Sequence, residues 1–199
     1  KGSLFSVCID RTGRFLPQAK DYLTSSTVVL DIGFGTFDTI PIRNGMVENG
    51  ETYSDLGMRR ILQETTKNIK DDFNVEVTVP EMQKWLDKGY IISSWRDKDG
   101  MHSKKHDFSD QLQKATKKVC NEALTRIEGS VNLLDYSYVI VTGGTGEAWL
   151  PMIKDRFKNL ETLTILCGNQ NDGLPFVYSN VRGYYLYRRA QCSRENRGN

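Results

Sequence analysis

Apolar residues in this chain fall into short runs separated by glycine, asparagine and charged clusters, and the spacing inside each run predicts its element. Val28-Val29-Leu30 and Tyr138-Val139-Ile140-Val141 are unbroken, the pattern of strands covered on both faces. Phe37 to Ile42 and Leu163 to Leu166 predict two further strands, and Leu4 to Ile9 (LFSVCI) a short one near the start. Asn44-Gly45 tolerates the paired positive φ of a type I′ turn, so Met46-Val47 is expected to return beside Phe37 to Ile42. A second Asn-Gly pair, Asn49-Gly50, marks a turn or bulge before Glu51-Thr52-Tyr53, which completes a β-meander.

A helical period begins at Met58 and continues through Ile61, Leu62, Thr65, Ile69 and Phe73, with Ser54 or Asp55 as the expected cap. Leu112, Ala115, Val119, Ala123 and Ile127 predict a longer helix from Ser109 or Asp110 to about Glu128. Shorter helices are expected over Ala19 to Leu23, from Pro80 to Gly89, over Ala148 to Lys158 and over Val177 to Arg189, with a polar tail from Ala190 onward. Tyr90 to Trp95 and Met101 to Phe108 read as a hairpin around Asp97-Lys98-Asp99-Gly100. The expected organisation is a core of residues 1–74 and 108–199, with residues 75–107 as a small inserted subdomain.

Composition narrows the chemistry. The chain has 199 residues, with 27 basic and 25 acidic side chains and a net charge of +2, and no basic stripe that would suit direct nucleic-acid binding. Its four cysteines, Cys8, Cys120, Cys167 and Cys192, form no CxxC pair and fit a reduced, cytoplasmic setting. No apolar run approaches a membrane span in length.

Two apolar strands end in glycine turns: Leu30-Asp31-Ile32-Gly33-Phe34-Gly35-Thr36 and Val141-Thr142-Gly143-Gly144-Thr145-Gly146. Backbone amides exposed by glycine can receive phosphate oxygens, and a carboxylate at the strand end can hold Mg²⁺ through water. The second turn opens a helix and could face a nucleoside. The structural alternatives are a plain hairpin and an ordinary strand-to-helix turn. Neither a Walker loop nor a G-x-G-x-x-G fingerprint is present. His102 and His106 stand four apart, but on a hairpin and without further ligands they make a poor metal set.

Taken in this order, the two turns make the chain similar to the actin-like ATPases, and within them to the ParM-type plasmid-segregation proteins. DIGFGTFDT resembles the family's second phosphate motif and VIVTGGTGEAW its adenosine motif. Tyr53 to Arg59 resembles the segment that opens the helix beside the ribose, and Tyr178-Ser179-Asn180-Val181-Arg182-Gly183-Tyr184-Tyr185 a C-terminal stretch of ParM-like proteins. The resemblance implies an α/β, actin-like (ribonuclease H-like) ATPase fold, a mixed sheet with flanking helices. It implies ATP or GTP with Mg²⁺, the metal held through water by Asp31. Gly33, Gly35 and Thr36 would contact phosphates, Gly57 would lie near the ribose, and Gly143, Gly144, Thr145 and Gly146 would bound the adenosine. Gln18 resembles the residue that orients the attacking water, with a polar turn residue as the alternative. Asp38 could assist the metal or be a strand-edge carboxylate, and Trp149 could border the base or anchor the core.

The family's first phosphate loop has no counterpart before Asp31, so the chain is expected to be the second half of such a molecule. The implied partners are copies of itself in a filament and a small DNA-binding adaptor, with plasmid DNA reached only indirectly and no membrane. A sugar or acetate kinase, a chaperone-type ATPase and a non-catalytic module with the same fold are the alternatives.

Overall fold

The computed structural model describes residues 2–195. In chain order, helices α1 (Gly2–Cys8) and α2 (Ala19–Thr24) precede strands β1 (Thr27–Ile32), β2 (Phe37–Arg43), β3 (Met46–Val47) and β4 (Glu51–Tyr53). Helices α3 (Met58–Phe73) and α4 (Val79–Trp85) lead to the hairpin β5 (Tyr90–Asp97) and β6 (Gly100–Asp107). Helix α5 (Ser109–Ser130), strand β7 (Tyr138–Thr142), helix α6 (Gly146–Arg156), strand β8 (Thr164–Cys167) and helix α7 (Ser179–Glu195) follow.

The main sheet runs β3-β2-β1-β7-β8, with β4 also paired to β2. Strand β1 is antiparallel to β2 and parallel to β7, and β7 is parallel to β8, so the sheet is mixed as expected. Both strands in the middle bury alternate residues on opposite faces. Val28, Leu30, Ile32, Val139 and Val141 join a cluster with α5 and α6, in which Trp149 is fully buried edge-on to Phe37. Val29 and Ile140 face a second cluster containing Leu4, Val7, Ala19 and Leu186 from α1, α2 and α7. Trp149 is thus a core anchor.

The Asn44-Gly45 turn has the paired left-handed conformation anticipated, φ 49° and 71°. The β5–β6 hairpin pairs Tyr90 with Asp107 through to Asp97 with Gly100. Its one buried residue, Ile91, joins Met82, Phe108 and the α3 residues Leu62 and Ile69 in a third cluster. His106 bonds Ser93 at 2.8 Å and His102 bonds Asp97 at 2.9 Å, so each imidazole is committed to its own neighbour.

Several local expectations are corrected. Leu4 to Ile9 is mostly helix α1: the segment is buried almost all round, and an apolar run without an exposed face carries no period to separate strand from helix. Neither Ser54 nor Asp55 caps α3. Gly57 holds that position, and Asp55 instead forms a two-pronged pair with Arg126 at 2.9 and 3.0 Å. Helix α5 is capped from outside by Asp107, whose carboxylate accepts from the Ser109 amide at 2.8 Å. Helix α7 extends through Ala190 to Glu195, so that much of the expected tail is helical, and residues 196–199 lie outside the described residues.

Candidate functional site

The site is built where β1 and β7 end side by side, Asp31 opposite Thr142. Strand β1 turns back into β2 through Gly33 to Thr36, closed by the Gly33 amide donating to the Thr36 carbonyl at 2.9 Å. The carbonyls of this turn are held from the protein side. The Thr145 amide donates to Ile32 O at 3.0 Å and the Thr145 hydroxyl to Gly33 O at 2.9 Å. Met58 and Arg59, the first residues of α3, donate their amides to Gly33 O at 3.2 Å and Phe34 O at 2.8 Å.

With its carbonyls tied back, the turn keeps its amides. Among the described residues, those of Phe34, Gly35 and Thr36 donate to no protein acceptor. A side-chain carbon placed on Gly35 would meet no atom within 4 Å, and Phe34 at the tip is exposed. Successive unspent amides on an open turn form a concavity suited to an anion.

The second turn is closed. Gly143 is left-handed at φ +86°, and a Cβ there would lie 2.3 Å from Ile32 O. The Gly146 amide is spent on Gly143 O at 3.0 Å, and a Cβ on Gly146 would sit 3.2 Å from Val141 Cγ1. Thr145 is buried, whereas Gly144 is exposed, so Gly144 is the part of this turn open to an approaching ligand. Gly57 has a packing reason of its own, since its Cβ would lie 2.7 Å from Phe34 O.

Asp31 is half-buried on the α1/α7 face of the sheet. Asn180 of α7 donates its Nδ2 to Asp31 Oδ2 at 2.7 Å, while Asp31 Oδ1 receives no protein hydrogen bond among the described residues. Burial raises the Asp31 pKa above the ordinary carboxylate value, the Asn180 bond opposes this, and the nearby Asp38 charge adds to the rise. Asp38 lies directly across the β1–β2 ladder and accepts from the Thr36 hydroxyl at 3.1 Å and the Thr52 hydroxyl at 2.5 Å. The Thr36 hydroxyl is therefore committed to Asp38, and what Thr36 offers outward is its amide.

Gln18 is exposed at the head of α2. The far end of that helix reaches the strand starts, the Tyr22 carbonyl accepting from the Thr27 hydroxyl at 3.3 Å and the Tyr22 ring lying edge-on to Tyr138. No hydrogen bond among the described residues joins Gln18 to the turns. The structure thus brings Asp31, Gly33, Gly35, Thr36, Gly57 and Gly143 to Gly146 together and leaves Gln18 apart. No local sequence pattern singles out Asn180. Its place within the Tyr178 to Tyr185 stretch was visible, but a partner 149 positions away was not.

No family model and no curated protein matches this sequence. Solved structures match it in fold. The apo pSK41 ParM structure is 18% identical with a TM-score of 0.64, covering 97% of this chain and 48% of that one. A ParM from a 15-stranded filament of Clostridium botulinum is 15% identical with a TM-score of 0.59, covering 94% of this chain and 51% of that one. MreB 5 of Spiroplasma citri, bound to AMPPNP, is 14% identical with a TM-score of 0.58, covering all of this chain and 61% of that one. The fold is actin-like, of the type seen in ParM, and the chain spans about half the length of the ParM chains it matches.

Proposed function

We propose that this chain is the nucleotide-binding half of a filament-forming actin-like ATPase that serves plasmid segregation. The observation that carries the reading is the Gly33 to Thr36 turn, whose carbonyls are held by Thr145 and α3 while three successive amides remain unspent beside the Asp31 carboxylate. Such a turn binds a polyphosphate through its backbone. The donor set also fits Mg²⁺: among the described residues no donor reaches Asp31 Oδ1, and a hard cation held through water needs an oxygen ligand of this kind. Asp31 would hold that ion beside the phosphates, and the metal would neutralise charge developing on them. Gly144 and the mouth of the second turn would face the nucleoside, Gly57 would lie near the ribose, and Gln18, at the head of α2, would orient the attacking water.

Fold similarity to a ParM filament and to a protein solved with AMPPNP supports assembly and nucleotide use. Residues 75–107 form the smaller subdomain in this reading, supported by their separate apolar cluster against α3 and α5. The adaptor and the plasmid are reached by the filament, in the cytoplasm. Among the described residues no helix is long and apolar enough to cross a membrane.

The test uses the full-length protein, with light scattering and phosphate release followed in Mg-ATP and Mg-GTP. Nucleotide-dependent polymer followed by loss of scattering as phosphate appears is expected, and Asp31→Ala should abolish phosphate release while the thermal melt stays in place. Unchanged turnover in Asp31→Ala, or no polymer with either nucleotide at any salt concentration, would sink the proposal.

A further inference from the structure

Among the described residues one donor holds Asp31, and that donor is itself fixed. Asn180 Oδ1 accepts from the Ser3 backbone amide at 3.0 Å, so its carbonyl side faces α1 and its NH₂ side must face Asp31 Oδ2, 2.7 Å away. The helices carrying this bond cross with no slack. A Cβ on Gly2 would lie 2.2 Å from Asn180 O, and one on Gly183 would lie 2.9 Å from the Ser6 amide nitrogen. Arg182 adds bonds to the Ser6 carbonyl and hydroxyl at 3.0 and 3.1 Å, and a buried ion pair to Asp172. Three buried hydroxyls stand close by. Ser3 and Ser179 flank the anchor, and Thr142 is the register partner of Asp31. None of the three makes a hydrogen bond to a described group, so none takes the place of Asn180 at the carboxylate.

We propose that Asn180 is a positioning residue for Asp31, pinning one carboxylate oxygen through a bond anchored on the α1 backbone and leaving the other oxygen for the metal–phosphate position. This rests on the nucleotide reading given above. Its consequence is specific: Asn180 acts on metal-dependent nucleotide binding and leaves the metal-independent part alone. Outer partners that orient a metal-facing side chain typically change metal affinity by about 10–100-fold when removed.

The experiment is calorimetric titration of full-length protein with a non-hydrolysable ATP analogue, in Mg²⁺ and in EDTA, for wild type, Asp31→Ala, Asn180→Ala and the double variant. Asn180→Ala is expected to weaken binding in Mg²⁺ about tenfold and to change binding in EDTA by less than about twofold. The double variant should bind no more weakly than Asp31→Ala alone, because residues acting as one unit are not additive. Equal weakening in both buffers, or additive losses, overturns the proposal. If Asp31→Ala itself leaves Mg²⁺-dependent binding unchanged, the nucleotide reading falls, and this inference with it. A wild-type measurement stands beside these in case Asn180→Ala does not fold. The Asn180 side-chain NH₂ should stay slow to exchange by NMR when the Mg²⁺-bound analogue is present, and loss of that protection on loading counts against the proposal.

Discussion

Gly35 and Gly143 each sit in a turn that follows a central strand. A Cβ added to Gly35 meets nothing within 4 Å, whereas one added to Gly143 would lie 2.3 Å from the Ile32 carbonyl oxygen. The first turn is open outward and keeps the amides of Phe34, Gly35 and Thr36; the second is pressed against the first, its Thr145 amide donating to Ile32 O and its Gly146 amide to Gly143 O. The same residue type therefore sits in two settings, open space outside one turn and contact with the neighbouring backbone in the other. The second turn is what keeps the first one in shape, because Thr145 alone supplies two of the donors that hold its carbonyls.

That contrast can be broken experimentally. Gly143→Ala should have the largest effect: a left-handed backbone and a collision with backbone atoms together predict a loss of about 3 kcal/mol or more in urea unfolding. Gly57→Ala should cost less, about 2 kcal/mol, since its φ of −149° suits any residue and only the approach to Phe34 O is at stake. Thr145→Val keeps the shape and removes the hydroxyl donor to Gly33 O, which also accepts from Met58; about 1 kcal/mol is expected. Gly35→Ala should leave stability within about 0.5 kcal/mol and yet weaken nucleotide binding in the full-length protein. If Gly35→Ala unfolded the protein and Gly143→Ala did not, the division of labour between the turns would be wrong.

The smallest effect concerns Asp31. Burial raises its folded-state pKa, so the folded protein holds the proton more tightly than the unfolded chain does. The ionised carboxylate thus subtracts from stability at neutral pH, and that cost disappears as pH falls below the ordinary value of 3.8. Asp31→Asn should be slightly more stable than wild type at pH 7, with the advantage shrinking toward acid, as thermal melts across a pH series would show. An advantage that grew toward acid would contradict the assigned direction.

Much of this was legible in the sequence because it is written locally. Continuous apolar runs marked β1 and β7, Asn44-Gly45 marked a turn with two positive φ values, and the glycine turns marked the loop end of the sheet. What was not legible depends on distant partners. LFSVCI reads the same as strand or helix until Gly183 is found against its first turn. Ser54 and Asp55 look like caps until Gly57 is seen lying under Phe34, where a side chain would not fit. Asn180 is one polar residue among several in its stretch until α7 brings it to Asp31. The division of the two glycine turns into open and closed lies in the same class, since each stretch offers closely spaced glycines and threonine.

Helix α3 has one more property that follows from its ends. Its head is hydrogen-bonded to the carbonyls of the Gly33 to Thr36 turn, and its later residues, Ile69 and Phe73, are embedded in the cluster under the β5–β6 hairpin. Sixteen helical residues make a rod of about 24 Å. The turn and the hairpin are thus fixed to opposite ends of one stiff rod, with α5 packed along its length. Asn68 donates to Gln111 O at 3.2 Å and Lys118 to Glu64 at 2.6 Å, so the turn's carbonyls rest on the same tied pair of helices as the hairpin.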